Sequence, residues 1–202
     1  IGVTFAAFTF TKEGTVENTL ETSTIVLTYT EGKTGIMLNE AYPISDEKGK
    51  VLVGENNVFD FTVQATLGKS TLIGYEVTAV KIPITDITSL EDKEVKLYLE
   101  RAVDPDTTYQ QVMAPSNFLA IESQSEVGSP IGSMILDSGI FMEEGTTIHN
   151  YRLRMWVDES AEIPNGESRK YGVKVNVYAK QVSSENFTDE SCFTFDKTTG
   201  TI

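Results

Sequence analysis

Apolar and polar residues alternate along several stretches of this chain, and this alternation constrains its fold more than any other feature. In residues 58–66 every second side chain is apolar, and the same pattern occurs in residues 95–101, 147–157 and 171–180. Successive side chains of a strand point to opposite faces, so each stretch predicts a strand with one buried face. Roughly nine such strands predict an all-β, jelly-roll-type antiparallel β-sandwich. Residues 147–157 and 171–180 are expected to pair with each other.

Residues 1–10, with the sequence IGVTFAAFTF, carry no charge and are apolar on both faces of a strand. One face has Ile1, Val3, Phe5 and Ala7, and the other has Ala6, Phe8 and Phe10. Such a strand needs burial on both sides, and the polar residues 11–21 can act as a hinge. We therefore expect residues 1–10 to be a donor strand that inserts into a neighbouring copy. The alternative is an ordinary first strand of the chain's own β-sandwich domain, residues 22–202.

The charge balance limits the partners of the chain. Acidic residues outnumber basic residues by 30 to 16, which gives the 202-residue chain a formal net charge of −14. This charge repels phosphate backbones, so no nucleic acid partner is expected. No run approaches the roughly 18 apolar residues of a membrane span. The sequence opens on an apolar strand without an initiator Met, as after removal of a signal peptide, so we expect a secreted, extracellular or cell-surface protein.

Residues that carry catalytic chemistry are sparse in this sequence. His149 is the only histidine, so there is no HExxH segment and no two-histidine zinc site, and no Gly-x-Ser-x-Gly elbow accompanies it. We expect His149 to be a surface or edge residue and the single cysteine, Cys192, to be buried and inert. No catalytic residue and no enzyme activity are therefore predicted.

Pairs of acidic residues leave Ca²⁺ open as a cofactor, because carboxylate oxygens are the ligands that Ca²⁺ prefers. The pairs lack the regular spacing of an EF-hand loop, so solvated loop charge is the expectation and no metal site is predicted. The pairs are Asp104 and Asp106, Glu143 and Glu144, Asp158 and Glu159, and Asp189 and Glu190.

A second candidate contact face lies on the stretch 147–157, whose alternation places Arg152, Arg154 and Trp156 outward. Tryptophan and arginine are enriched at protein interfaces, so these three residues are candidates for a contact with another molecule. The alternative is that Trp156 packs under a loop or against the opposite layer of the sandwich.

Six motifs carry a resemblance to a known family. They are TFAAF at 4–8, TIVLTY at 24–29, GIMLNEAYPISDEKGK at 35–50, VFDFTVQA at 58–65, YRLRMWVDESA at 151–161 and YGVKVNVYAKQ at 171–181. Together they resemble the TasA/camelysin family of exported biofilm-matrix fibre proteins from Gram-positive bacteria. The likeness does not extend to residues 107–145, which we expect to form loops and short strands across one end of the sandwich.

The resemblance implies a jelly-roll subunit whose groove receives the N-terminal strand of the next subunit in a head-to-tail homopolymer. In this chain the donor would be residues 1–10 and the hinge residues 11–21. We therefore expect a structural subunit of an extracellular fibre or pilus that supports biofilm matrix or adhesion, with other matrix components as further partners. Some members of the family are described as metallopeptidases, but this chain lacks zinc-ligand spacing, so that activity is not carried over.

Other functions stay open at this point. A monomeric carbohydrate- or protein-binding module would use Trp156, Tyr98 and Tyr178 as exposed aromatic residues. A virion or tail structural protein would use the same sandwich fold. A glycan hydrolase could draw two carboxylates from different strands, although a single tryptophan gives little support for a sugar platform.

Overall fold

The computed structural model describes residues 18–21, 25–31, 35–39, 41–54, 56–69, 71–85, 88–125, 127–164 and 168–182. The strands there are β1 (Asn18–Glu21), β2 (Ile25–Glu31), β3 (Ile36–Asn39), β4 (Pro43–Ile44), β5 (Val58–Leu67), β6 (Leu72–Lys81), β7 (Val95–Val103), β8 (Gln110–Asn117), β9 (Met134–Phe141), β10 (Gly145–Asp158) and β11 (Lys170–Val182). One helix, α1, covers Asp46–Gly49, and a 3-10 turn covers Asp92–Glu94. In this part of the chain no helix is long and apolar enough to cross a membrane.

The strands form two sheets that pack face to face. The larger sheet has the order β1-β2-β5-β10-β7-β8, with antiparallel neighbours, and the short β4 runs parallel to β10. The smaller sheet has the antiparallel order β3-β11-β6-β9. Phe61 and Tyr151 of the larger sheet share one apolar core with Tyr75 and Val177 of the smaller sheet. The prediction of an all-β sandwich is therefore confirmed.

The chain changes layer from strand to strand. In chain order β2, β5, β7 and β10 belong to the larger sheet, and they alternate with β3, β6, β9 and β11 of the smaller sheet. β1, β4 and β8 also belong to the larger sheet but lie outside this alternation. The jelly-roll type of the sandwich stays a prediction.

The predicted pairing of residues 147–157 with residues 171–180 is wrong. β10 lies between β5 and β7 in the larger sheet, whereas β11 lies between β3 and β6 in the smaller sheet. The connection at residues 159–169 thus crosses between the layers. A hairpin and a crossing both leave each strand with one buried face, so alternation alone does not distinguish them.

The predicted inward faces of the strands are confirmed. In β5 the side chains of Phe59, Phe61, Val63 and Ala65 are buried, and Asp60 between them is exposed. Removing one large apolar side chain of this kind from water contributes about 1.5–3 kcal/mol. The other strands follow the same pattern with Val95, Leu97 and Leu99 in β7, Tyr151, Leu153, Met155 and Val157 in β10, and Tyr171, Val173, Val175, Val177 and Ala179 in β11.

The connection from β8 to β9, residues 118–133, reaches the outer face of the smaller sheet. Val127 packs against Tyr178 of β11, and the Ser129 hydroxyl donates a hydrogen bond to the Glu76 carboxylate of β6. Residues 107–145 do form loops and short strands, as predicted. Their expected position across one end of the sandwich is corrected, because this connection covers outward side chains of β6 and β11.

Residues 11–21 do not all belong to the predicted hinge. Its last four residues form β1, which pairs with β2 and places Asn18 opposite Tyr29. Main-chain pairing fixes these four residues, so the hinge boundary is corrected to a point before Asn18. Residues 1–17 and 183–202 lie outside the described residues, and with them the predicted donor strand and Cys192.

Candidate functional site

The placement of the predicted donor strand stays a prediction, because the strand lies outside the described residues. This holds for all the residues singled out there, namely Ile1, Val3, Phe5, Ala6, Ala7, Phe8 and Phe10. The structure does describe the second predicted contact surface, on the outward face of β10.

Trp156 is buried, with 1% of its surface exposed, so the prediction of an outward tryptophan at a contact face is wrong. Gly49, the last residue of α1, faces the indole so closely that a Cβ at this position would overlap the ring. β4 pairs with the end of β10 and brings residues 41–54 across this face. The alternative reading, in which the tryptophan packs under a loop, is the one that the structure supports.

Gly49→Ala is expected to destabilise the protein, because the added methyl group would occupy the space of the Trp156 indole. Overpacking a filled site costs about 1–3 kcal/mol. Chemical denaturation should show this loss, and the emission of Trp156, the only tryptophan, should shift to longer wavelength as water reaches the ring. Lys48→Ala, at an exposed position of the same helix, is the control. Equal stability of the two variants would contradict the close packing of α1.

Both predicted contact arginines have partners within the fold. Arg152 forms a bidentate ion pair with Asp60 of β5, with Nε–Oδ1 at 2.8 Å and Nη2–Oδ2 at 3.1 Å. Arg154 forms an ion pair with Glu100 of β7, and its Nε donates to the Leu52 carbonyl at 2.9 Å. The two arginines therefore tie β10 to both neighbouring strands and to the segment that covers Trp156.

A groove of about 310 Å³ opens beside this covering segment. Three apolar side chains of the segment, Tyr42, Val51 and Val53, are 83%, 70% and 85% exposed. We call these three residues the apolar ridge. On the outward face of β10, where we expected an exposed Trp156, the apolar ridge and the groove are exposed instead. The groove is lined by Leu52, Val53, Gly54, Val58, Asp60, Arg152 and Arg154.

The aromatic residues considered for a carbohydrate-binding face are also buried. Tyr98 is 6% exposed and Tyr178 is 3% exposed, so together with Trp156 they offer no open ring for a sugar to stack on. The Lys50 ammonium lies 5.8 Å from the ring centre of Tyr98, and Val127 packs on Tyr178. The expectation that these three aromatic residues are exposed is therefore wrong.

His149 is buried as well, with 9% of its surface exposed, so the expectation of a surface or edge residue is wrong. The side chain lies between the two sheets, where Nδ1 is 2.9 Å from the Tyr75 hydroxyl of β6. Its ring lies against Phe141 of β9, with ring centres 4.7 Å apart. The only histidine of the chain is thus part of the core.

Four further polar side chains extend the contacts of His149 into a hydrogen-bonded cluster. The Tyr75 hydroxyl is 2.9 Å from the Tyr151 hydroxyl, which donates to Asp137 Oδ2 at 2.8 Å. Arg101 Nη1 donates to the Tyr75 hydroxyl at 3.2 Å and to Asp137 Oδ2 at 2.9 Å. Tyr75 and Asp137 belong to the smaller sheet and the other three residues to the larger sheet. We call these five residues the inter-sheet cluster.

The number of hydroxyl protons fixes the direction of these hydrogen bonds. Tyr151 donates its single proton to Asp137, so it accepts from Tyr75, and Tyr75 then accepts from Nδ1 of His149. The network therefore assigns His149 as the neutral tautomer with its proton on Nδ1. Both buried hydroxyls are satisfied, which allows a polar cluster inside an apolar core.

Burial and, to a smaller extent, the charge of Arg101 lower the pKa of His149 to about 4. Burial is also the main cause that raises the pKa of Tyr75 to about 12, and it raises the pKa of Tyr151. At neutral pH all three side chains are uncharged. The inter-sheet cluster then consists of three neutral side chains hydrogen-bonded around one ion pair, Arg101–Asp137.

Within the described ranges no group of three or more His, Cys, Asp or Glu side chains could hold a metal ion. Asp158, one of the acidic residues considered for Ca²⁺, lies 3.1 Å from the Lys96 ammonium and accepts a hydrogen bond from the Ser160 amide. Asp189 and Glu190 lie outside the described residues. The expectation that the chain holds no metal ion stays a prediction.

No family model, no curated protein and no solved structure matches this chain. The resemblance to the TasA/camelysin family therefore rests on the six sequence motifs. The descriptions of the fold, of the groove beside β10 and of the inter-sheet cluster rest on the contacts of the described residues.

Proposed function

We propose that this chain is a structural subunit of an extracellular homopolymeric fibre or pilus, assembled head to tail by donation of residues 1–10 to the next subunit. The observation that carries the proposal is the uncharged sequence of those ten residues, which is apolar on both faces of a strand. The resemblance to the TasA/camelysin family supports it. On this proposal the protein acts in a biofilm matrix or in adhesion at a cell surface.

The sandwich supports the proposal because strand addition needs the edge of a sheet. Among the described strands, β1 and β8 are terminal in the larger sheet, and β3 and β9 are terminal in the smaller sheet. In strand addition the donor pairs with the outer row of main-chain groups of such a strand, while its side chains enter the space between the layers. A donor that is apolar on both faces suits a position covered on both sides.

The magnitudes are consistent with a durable joint. Burying about five large or medium apolar side chains contributes about 1.5–3 kcal/mol each, and a ladder of main-chain hydrogen bonds adds to this. Ordering the strand offsets much of the gain. The net charge of −14 keeps free subunits apart, so salt and lower pH should both promote assembly.

Charges placed within the donor strand are expected to abolish fibre formation. The full-length variant Phe5→Asp with Phe8→Asp puts one carboxylate on each face of the strand, so burial of either face becomes unfavourable. Electron microscopy and sedimentation of the purified protein, incubated at raised salt and at about pH 5, should show fibres for the original sequence and none for this variant.

The control carries the same added charge outside the strand, in Thr11→Asp with Thr15→Asp, and should still form fibres. Fibres of equal yield from the Phe5 and Phe8 variant would contradict strand donation. An original sequence that stays monomeric under all these conditions would contradict the fibre function itself.

A further inference from the structure

β11 extends well beyond the strand that pairs with its outer side. β11 has thirteen residues and β3 has four. β3 pairs only with residues 170–173, whereas β6, on the other side, pairs with β11 as far as Val182. Among the described strands none pairs with residues 177–182 on the β3 side. This part of β11 is therefore a further edge of the smaller sheet, in line with β3.

The direction of the main-chain groups shows which residues of β11 form this edge. The Gly172 carbonyl accepts a hydrogen bond at 2.8 Å from the amide of Ile82, which directly follows β6, so the main-chain groups of Gly172 point toward β6. Successive residues of an antiparallel strand point to alternate sides of the ladder. Val177, Ala179 and Gln181 therefore turn their N–H and C=O groups toward the β3 side. A strand added there would pair with this row.

The terminal strands of the two sheets carry features that oppose strand addition. β1 and β3 are four residues long, and β8 contains Pro115. β9 has a register shift against β6, and its Asp137 turns a carboxylate toward Tyr151 between the sheets. Short strands, proline, irregular pairing and inward charges are means by which edge strands avoid pairing with other chains. Residues 177–182 contain no proline, no inward charge and no register shift against β6.

A strand added at this edge of β11 would meet apolar groups on both faces. On the inner face, Val177 and Ala179 belong to the core between the sheets. On the outer face, Val127 of the connection from β8 to β9 packs on Tyr178, so this connection reaches β11. Residues 1–10 are uncharged and apolar on both faces, so they match such a position, and they are long enough to pair with the whole edge.

We propose that the donor strand pairs with β11 along residues 177–182, in line with β3, and so adds a strand to the smaller sheet. This assignment rests on the proposed fibre function, in which residues 1–10 come from the next subunit. It names the acceptor edge of the receiving subunit. Each joint of the fibre then consists of the smaller sheet of one subunit and the N-terminal residues of the next.

The test supplies the donor as a synthetic peptide of residues 1–14 with a fluorescent dye at its C-terminus. The acceptor is the full-length Phe5→Asp, Phe8→Asp chain, whose own strand is unfavourable to bury. Fluorescence anisotropy should show saturable binding of the peptide. Gln181→Pro in the acceptor should weaken this binding by at least about tenfold, because proline lacks the amide hydrogen and its ring obstructs the added strand. Gln181 is exposed and its amide points away from β6, so the pairing inside the sheet is kept.

Gln181→Ala is the matched control, since it removes the same side chain but keeps the amide, and it should bind the peptide as before. Circular dichroism checks that each variant is folded. The edge assignment is overturned if the peptide does not bind, if the two variants bind it equally, or if Gln181→Pro in the original sequence leaves the yield of fibres unchanged. If the original sequence stays monomeric while peptide binding still depends on the Gln181 amide, the fibre function fails and the edge assignment holds.

Discussion

Asp137→Ala is expected to lower the free energy of unfolding by about 2–4 kcal/mol, because it removes the acceptor at the centre of the inter-sheet cluster. Asp137 Oδ2 accepts hydrogen bonds from Arg101 and from Tyr151. Without it, a guanidinium and a hydroxyl in the core lose an acceptor, and leaving such groups unsatisfied costs more than the hydrogen bonds themselves contribute.

For Asp137→Ala we do not expect a loss of stability at the upper end of the range that is usual when a buried ion pair is broken. The Arg101 side chain is 28% exposed and the Asp137 side chain 12%, so water can solvate the guanidinium in part. The loss should therefore stay below that of a fully enclosed pair. It should appear in chemical denaturation as a lower midpoint with an unchanged slope.

Asp60→Ala is the matched control for this prediction, because it removes the carboxylate of another arginine pair at a more exposed position. The Asp60 side chain is 55% exposed and that of Arg152 is 32% exposed. Exposed ion pairs contribute about 0–1 kcal/mol, so the control should lose little stability. Equal losses in the two variants would show that the inter-sheet cluster is no more important than a surface ion pair.

The alternation of apolar and polar residues predicts which way some residues of the inter-sheet cluster point. His149 lies two residues before Tyr151, so the alternation that places Tyr151 inward also places His149 inward. Arg101 follows Leu99 in the same way. The sequence did not show which partners would meet them, because Tyr75 and Asp137 come from strands whose neighbours depend on the order of the sheets. A register shift between β6 and β9 after Val77 adds to this difficulty.

Trp156 shows a different limit of sequence reading. Its strand was predicted correctly, and its side chain does point away from the sandwich core. Whether an outward position is exposed depends on what crosses the strand, and here α1 and residues 41–54 cross it. Gly49 was the available signal, since a glycine at the end of a one-turn helix leaves space for a large ring. Alternation predicts which face of a strand a side chain occupies, but it does not predict whether a loop or helix covers that face.

Acidification from about pH 7.5 to about pH 5 is expected to remove about 2 kcal/mol of stability through His149 alone. Its pKa is about 4 in the folded protein, against an ordinary value of 6.5. Between these two values the unfolded chain binds more protons than the folded chain, so the contribution is fully present above pH 6.5 and is lost as the pH falls toward 4. The physical reason is that a charged imidazole is excluded by burial and by the charge of Arg101.

His149→Gln tests this sign directly, because it removes the only histidine and keeps a side chain that can donate to Tyr75. The variant should be less stable than the original sequence at neutral pH, and the gap should narrow by about 2 kcal/mol at pH 5. Relief of acidic repulsion as carboxylates titrate affects both proteins and cancels in the comparison. An NMR titration in which the His149 ring protons titrate near 6.5 in the folded protein would show that the imidazole is hydrated, and the inter-sheet cluster would then not be closed as described.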